Sequence, residues 1–332
     1  MNNLSIIGSD KAAIGLNRQP ITVGISACLI GNKVRYNAGH TQSRLCLDLL
    51  SKCFTFTSFC PEAAADLGIL RPTMRLTVDS TSPRLVFSSD ESFDLTSELV
   101  NGLQKHSEIG HLDGYILMKN SPSCGLDRVK VYQAKGHPHP LRTAGVFARA
   151  LKKHYPLMPI EEEGRLQDDT LFDNFLLRVY AYSNFKKEVL ERPSLHHLMV
   201  FHSSYKYLLM AHNQDKARAL GRLLGTYDGG SLETLIDDYF RAFIEAISKP
   251  ASRKNHTNAL FHILGYLKHN LSPIARDHIV IKIHNYNKGL TPLTTPLTLL
   301  KHYLMQHGTN YIKEQRYLEP YPEKINPMAQ YL

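Results

Sequence analysis

The feature that most constrains this fold is a change of hydrophobic pattern near Leu166. Before it, short apolar runs alternate with stretches of helical spacing, and after it helical spacing continues from about 168 to 310. Alternation of strands and helices is typical of a mainly parallel sheet. We therefore predict an α/β N-terminal domain with a mainly parallel sheet over 1–192, and an all-α C-terminal domain over 193–332.

The apolar runs predict three strands, and the periodic stretches predict the helices. The strands are placed at 21–30, 54–59 and 114–118, with helices at 43–53, 92–109 and 142–154. Ser194, just after Pro193, is expected to cap a helix. The predicted helices of the second half are 168–191, 194–212, 214–226, 231–248, 255–270, 273–288 and 296–308.

Size and composition indicate an ordinary globular protein. The chain has 332 residues, 43% hydrophobic and 21% charged, which excludes disordered and fibrous classes. No apolar run reaches the roughly 18 residues of a membrane span, so no membrane partner is expected. The first twenty residues lack a basic start followed by an apolar core, so we expect no signal peptide and a cytoplasmic location. The sequence leaves the oligomeric state open.

All five cysteines lie within the first 124 residues. In a reducing compartment, an odd and clustered set favours metal binding or catalysis over disulfides. Cys28, Cys60 and Cys124 follow the three predicted strands in turn-forming sequences, so they should converge at the carboxyl end of the sheet. Cys46 and Cys53 lie in an apolar, helix-like stretch and are predicted to be buried structural residues.

Three thiolates are compatible with two kinds of centre. A catalytic zinc site takes three protein ligands and a water molecule. An iron–sulfur cluster normally takes four cysteines, so three would leave one iron open as a Lewis acid. Sulfur is a soft donor that such an iron favours.

Polar residues near these cysteines are candidates for catalysis or substrate binding. Glu62, two residues after Cys60, could act as a general base, although it could equally cap the next helix. Lys119, Ser121 and Ser123 could donate a proton or orient the substrate. Arg35, Asn37 and His40 of the first loop could hold substrate or stabilise a turn. The predicted catalytic residues are Glu62, Lys119 and Ser121, and the predicted substrate-binding residues are Ser26, Arg35, Asn37 and Ser123.

The second half carries most of the positive charge. Residues 251–313 contain eight Lys or Arg, seven His and one acid, Asp277, which is +7 of the formal net charge of +9. Such a segment, with Tyr266 and Tyr286 interleaved, favours RNA binding, and a solvated basic helical face is the alternative. The predicted RNA contacts are Arg253, Lys254, His256, Lys268, Lys282 and Lys301. His196, His197, His202 and His212 are predicted to be ordinary helix residues.

Four segments of the first half resemble the TudS-type thiouracil desulfidase family. They are VGISACLIGNKVRYNAGH, FCPEAAADLGILRP, KNSPSCGLDRVKVY and PIEEEGRL, within roughly residues 20 to 170. The second half is similar to the helical domain of the longer RudS or YbgA-like proteins, which are proposed to remove sulfur from thiouridine in transfer RNA. The segments there are FHSSYKYLLMAHN, GRLLGTY, RKNHTNALFHILGYLK and GLTPLTTPLTLLKHYL.

The resemblance implies a cofactor and roles for several residues. Cys28, Cys60 and Cys124 would hold a 4Fe-4S cluster whose fourth iron binds the substrate's sulfur, and Glu62 would activate water. Lys119 stands where the short family members carry a serine, so either Lys119 or Ser121 would be the proton donor.

The expected reaction is a non-redox hydrolytic exchange that converts 4-thiouridine in tRNA to uridine and releases hydrosulfide. The alternatives are free thiouracil or thiouridine monophosphate as substrate, a zinc hydrolase, and a non-enzymatic iron–sulfur redox sensor that binds nucleic acid.

Overall fold

The computed structural model describes residues 20–78, 82–133 and 136–322. The predicted absence of a signal peptide concerns residues 1–20, of which 1–19 lie outside this range. In the described residues the strands are β1 (Thr22–Ser26), β2 (Thr55–Phe59), β3 (Met74–Thr77), β4 (Arg84–Phe87), β5 (Gly114–Leu117), β6 (Val129–Tyr132), β7 (Pro138–Thr143) and β8 (Ile160–Glu162).

The central sheet is fully parallel and has the order β2-β1-β5-β8. Val23 lies opposite Phe56 of β2 and Gly114 of β5. Val23 and Ile25 have no exposed surface, because both faces of this sheet are covered, as is usual for parallel sheets. The predicted α/β class and parallel sheet are confirmed for this region.

A second sheet, of order β4-β3-β6-β7, was not predicted from the sequence. It is mixed, since β3 and β6 are parallel and the two outer pairs are antiparallel. Its strands have only four to six residues, and β7 is mostly exposed and begins at Pro138. Such segments lack the continuous apolar run by which a buried strand is identified.

The helices agree with the predicted ones, with three exceptions in the first half. The helix predicted over 142–154 begins only at Val146, because Arg142 and Thr143 belong to β7. Residues 45–52 form a π-helical turn and a 3₁₀ turn where an α-helix was expected. The helix predicted over 92–109 divides into α2 and a 3₁₀ turn at Ser107–His111. The α-helices of this half are α1 (Pro61–Ala64), α2 (Thr96–Gln104) and α3 (Val146–His154).

The second half is helical in the part that the structure describes, as predicted. Ser194 caps α5, since its Oγ accepts a hydrogen bond from the backbone N–H of His197 at 3.1 Å. The helices are α4 (Asp169–Phe185), α5 (Leu195–His212), α6 (Gln214–Gly225), α7 (Leu232–Ala246), α8 (Arg253–Leu264), α9 (Pro273–Asn287), α10 (Thr294–His307) and α11 (Asn310–Lys313). None of the helices described is both long and apolar enough to span a bilayer.

Helix α4 packs into the cores of both halves. At its N-terminal end the Phe175 ring meets Phe54 edge-on at 6.3 Å, beside the parallel sheet. At its C-terminal end Phe185 stacks on Phe240 of α7 at 4.1 Å. One continuous cluster of buried apolar residues therefore runs from β1 through α4 into the helical half. The division at residue 192 stays a prediction.

Candidate active site

A cavity of about 330 Å³ opens at the carboxyl ends of β1, β2 and β5. This is the edge at which parallel α/β sheets bind their ligands. Cys28, Cys60 and Cys124 all line it, so the structure brings together the three cysteines predicted to converge. Glu62, Lys119, Ser121 and Arg35 line the same cavity.

Each cysteine is placed by the turn that follows its strand. Cys28 lies in a 3₁₀ turn, Ala27–Ile30, directly after β1. Cys60 is the N-cap of the short helix α1, with Pro61 in the first turn. Cys124 is buried in the loop after β5.

The loop of Cys124 is held by local hydrogen bonds and close packing. Ser121 Oγ accepts hydrogen bonds from the backbone N–H of Cys124 at 3.0 Å and of Ser123 at 3.2 Å. Gly145 lies against this loop, and a Cβ there would come within 2.3 Å of the Ser123 carbonyl oxygen. The loop therefore requires glycine at 145, and Ser121 has a clear structural role.

Glu62 is a buried carboxylate in contact with a thiol and a guanidinium. Its Oε2 accepts a hydrogen bond from Cys60 Sγ at 3.2 Å and lies 3.9 Å from a guanidinium nitrogen of Arg71. Arg71 is itself buried and donates to the carbonyl oxygens of Val34 at 3.2 Å and Gly68 at 2.6 Å. Sequence reasoning missed Arg71, because a single arginine before a proline carries no local signal.

Lys119 is positioned by the chain segment after β8. Its Nζ lies 3.9 Å from Glu163 Oε2, and Glu163 Oε1 accepts a hydrogen bond from Ser43 Oγ at 2.9 Å. A Cβ at Gly164 would lie 2.6 Å from Lys119 Cδ, so the glycine makes room for the lysine stem. Glu163 was also missed, since three consecutive glutamates usually indicate an exposed face.

Burial keeps the three thiols protonated when no cation binds them. It raises the pKa of Cys60 to about 12 and raises the pKa values of Cys28 and Cys124, with the Glu62 charge as the next cause in each case. Three thiolates at this position would therefore require a strongly cationic partner.

The three cysteines do not form a preformed single-ion site in the described part of the chain. Across the residues that the structure describes, no group of three His, Cys, Asp or Glu side chains is placed to hold one metal. The ligands of one zinc all lie about 2–2.3 Å from it, whereas those of a cluster are separated by the cluster itself. The zinc alternative thus gains no support.

Two buried hydroxyls beside the cysteines have no hydrogen-bond partner in the described part of the chain. They belong to Tyr115, on β5, and to Ser123, next to Cys124. Tyr115 is close enough to the site for the charges of Cys124, Cys60 and Glu62 to raise its pKa further, after burial. Orphaned donors of this kind fit a bound group that accepts hydrogen bonds, as the sulfides of a cluster do.

Three predicted substrate contacts do not line the cavity. Ser26 is buried, and its Oγ accepts a hydrogen bond from the Met118 N–H at 3.0 Å. Ser123 is fully buried, and Asn37 Oδ1 accepts from the Gly39 N–H at 3.1 Å in an exposed turn. Arg35 does line the cavity and donates to Thr41 Oγ1 at 2.7 Å.

Cys46 and Cys53 belong to the apolar core, as predicted. They are 0% and 8% exposed and lie in the cluster that also contains Ile25 and Phe54.

The predicted RNA contacts divide into exposed and inward-facing residues. Lys254, Lys268 and Arg253 are exposed, and Arg253 also lies over the Tyr286 ring at 5.3 Å. Lys282 and Lys301 are partly buried. His256 faces inward, with its Nδ1 2.9 Å from the Tyr317 hydroxyl, and burial lowers its pKa to about 4. A neutral imidazole is not a cationic phosphate contact, so the structure does not support that role for His256.

Comparison with known proteins identifies both halves. Residues 23–163 match the family described as 2-thiouracil desulfurase, and residues 206–322 match a family described as a protein of unknown function, DUF1722. Uncharacterized protein YbgA of Escherichia coli (strain K12) is 30% identical over 158 residues, which cover 46% of this chain and 92% of YbgA. The chain belongs to the YbgA family.

In this member of the YbgA family, a thiouracil-desulfidase type of domain precedes the YbgA-like helical domain. Among solved structures, a 4Fe-4S-dependent thiouracil desulfidase, TudS, is 23% identical. That match covers 44% of this chain and 93% of TudS, with a TM-score of 0.34.

Proposed function

We propose that this chain is an iron–sulfur desulfidase that converts 4-thiouridine in tRNA to uridine. The observation that carries the proposal is the convergence of Cys28, Cys60, Cys124 and Glu62 on one cavity of about 330 Å³. The match of residues 23–163 to the 2-thiouracil desulfurase family supports sulfur removal from a pyrimidine. A cytoplasmic location, where thiols stay reduced, is part of the proposal.

Cys28, Cys60 and Cys124 are the residues that would hold a 4Fe-4S cluster. With three protein ligands, such a cluster would have one open iron and would supply a Lewis acid for the soft sulfur of a thiocarbonyl. The orphaned hydroxyls of Tyr115 and Ser123 would donate hydrogen bonds to the bound group.

Glu62 is the proposed general base. Arg71 lies 3.9 Å from its Oε2, while its Oε1 has no partner among the residues described, so Oε1 is available to a water molecule. Deprotonated water attacks the carbon that carries sulfur, the C–S bond breaks, and oxygen takes its place. Water is consumed and hydrosulfide leaves, so no oxidant or reductant is required.

Lys119 is the proposed proton donor. It lines the cavity near Glu163, which orients it, while Ser121 Oγ holds the Cys124 loop by accepting hydrogen bonds from two backbone N–H groups. Protonation of the departing sulfur by a positioned acid contributes about 10²–10⁴-fold in typical enzymes.

The helical domain supports RNA as the substrate. Lys254 and Lys268 are exposed, and the 251–313 segment has eight Lys or Arg against one acid. A basic surface of this kind binds phosphates without regard to sequence.

The test is anaerobic reconstitution with iron and sulfide, followed by incubation with thiolated bulk tRNA in heavy-oxygen water. Mass spectrometry of the nucleosides should show loss of 4-thiouridine and an equal gain of uridine that carries the heavy oxygen. Free 4-thiouracil and 4-thiouridine monophosphate are assayed in parallel. Turnover of the free compounds alone would contradict the tRNA assignment, and turnover of none would contradict the desulfidase.

A further inference from the structure

A second cavity, of about 440 Å³, lies in the helical domain between α5, α6 and α8. Its polar lining consists of two cationic side chains, two imidazoles and two amides, and no carboxylate in the described residues lines it. A cleft with this composition attracts an anion. The polar residues are His202, Lys206, Gln214, Arg218, Asn258 and His262.

His202 is held in one orientation by a buried tyrosine. Its Nδ1 lies 3.1 Å from the hydroxyl of Tyr239, a residue with no exposed surface, and this hydroxyl has no other hydrogen-bond partner in the described part of the chain. The hydroxyl must therefore donate its only proton to Nδ1, which leaves the imidazole proton on Nε2. Burial, and then the nearby Lys206 charge, lowers the pKa of His202, so the ring is a neutral donor.

The donor atom of His202 faces the position where α6 has no side chain. The nearest atom to a Cβ built on Gly221 is His202 Nε2, at 3.9 Å. Glycine within a helix is destabilising relative to alanine. The open space in front of Nε2 gives a physical reason for its presence at this position.

Lys206 and Arg218 differ in whether a carboxylate of the protein already pairs with them. Lys206 is exposed, its Nζ lies 5.8 Å from the centre of the Tyr207 ring, and no carboxylate in the described residues pairs with it. Arg218 pairs with Asp215 at 3.2 Å, but the side chains are 68% and 93% exposed, so this pair is largely screened by water. A dianionic group entering the cavity would meet two positive charges and the His202 donor.

We propose that this cavity binds a free nucleoside monophosphate. The phosphate would be held by Lys206, Arg218 and His202 Nε2, since charge-assisted hydrogen bonds are the strong ones. The apolar side chains of Leu209, Met210 and Ala217 line the same cavity and suit the face of a base, while Gln214 and Asn258 offer amides for its edge. The volume lies within the range of ordinary small-molecule sites. This site is separate from the cysteine cavity and does not depend on the proposed reaction.

Isothermal titration calorimetry of the full chain tests the proposal. The probes are the four nucleoside 5′-monophosphates, the matching nucleosides and inorganic phosphate. We expect at least one monophosphate to bind, its nucleoside to bind at least about tenfold more weakly, and phosphate to compete.

Three variants locate the site. Lys206→Gln removes a charge, and Gly221→Leu fills the space before His202, so each should weaken binding about tenfold or more. Arg222→Gln removes the same charge from an exposed α6 residue outside the cavity and should leave the affinity unchanged. Thermal unfolding confirms that each variant is folded.

Three results would overturn the assignment. The first is the absence of monophosphate binding at millimolar concentration, and the second is equal binding by all three variants. The third is binding of a 5′-phosphorylated RNA oligonucleotide that is lost in Gly221→Leu while no free monophosphate binds, which would assign the cavity to RNA.

Discussion

The two halves of this protein place their polar groups in opposite ways. In the α/β half, Cys60, Glu62 and Arg71 contact one another in a buried network. In the helical half, Lys254 and Lys268 are exposed on the surface. A buried network of contacting residues loses its function when one residue is removed. A basic surface loses only a small part of its affinity for nucleic acid with each charge removed. Substitutions in the α/β half should therefore have larger effects than substitutions of single charges in the helical half.

The largest loss of activity is expected when one of the three cavity cysteines is substituted. Cys124→Ala should abolish both iron binding and desulfidase activity, because two remaining cysteines are too few to hold the cluster. Cys46→Ala, which only opens a small gap in the core, should retain iron, sulfide and activity. Metal and acid-labile sulfide analysis of anaerobically purified protein provides the measurement. A cluster retained by Cys124→Ala would refute the ligand assignment.

A smaller loss of activity is expected when the proposed general base, Glu62, is substituted. Glu62→Gln keeps the shape of the side chain but removes the proton acceptor, so kcat should fall about 10²–10⁴-fold while iron and sulfide content stay the same. The matched control is Glu98→Gln on the exposed surface of α2. Near-normal turnover by Glu62→Gln, with the cluster intact, would refute the assignment of Glu62 as the general base.

The inward-facing histidines of the helical half predict a pH-dependent stability. Burial lowers the pKa values of His212 and His256 to about 4, and His212 further lowers that of His256. The unfolded chain binds these protons near pH 6.5, so stability should fall as the pH drops from 6.5 towards 4. The slope should approach 1.4 kcal/mol per pH unit for each histidine.

Urea unfolding between pH 7 and 5 measures this slope. His256→Gln should make it shallower, whereas His269→Gln, at an exposed position, should leave it unchanged. An unchanged slope in His256→Gln would mean that His256 is charged in the folded protein, and its predicted RNA contact would then be reinstated.

The smallest effect concerns single surface charges. Lys254→Gln and Lys268→Gln should each reduce the slope of log affinity for tRNA against log salt by about 0.7–0.9, as expected for one lost phosphate contact. Lys130→Gln, exposed on β6 of the α/β half, is the matched control and should not change the slope. Equal changes in all three variants would remove the distinction between the two halves.

The sequence predicted the elements whose pattern is set by burial alone. Strands β1, β2 and β5 carry apolar or alternating runs, and Ser194 caps α5 as its position before a periodic stretch indicated. Strand β8 was missed because its residues are Ile-Glu-Glu, and its carboxylates are stabilised by groups outside the strand. Glu162 Oε2 accepts a hydrogen bond from the Leu126 N–H at 3.0 Å, and Glu161 pairs with Arg165 at 2.8 Å.

The sequence predicted the site residues only where a chemically reactive residue directly follows a predicted strand. That rule identified Cys28, Cys60 and Cys124, with Glu62 beside them. It could not identify Arg71 or Glu163, whose roles depend on chain segments that are remote in sequence, such as the Val34 carbonyl and the Ser43 hydroxyl. It also placed Ser123 in contact with substrate, although the close approach of Gly145 buries that residue.

Helix α4 constrains how such a protein can be rearranged in evolution. Two domains joined by a flexible linker can be exchanged as independent cassettes. Here the joint is itself a helix, whose Phe175 packs beside the sheet and whose Phe185 stacks in the helical core. A substitution in α4 must therefore satisfy two partners at once, and a recombinant that takes the helical half from a relative must carry α4 with it or redesign the sheet beneath it.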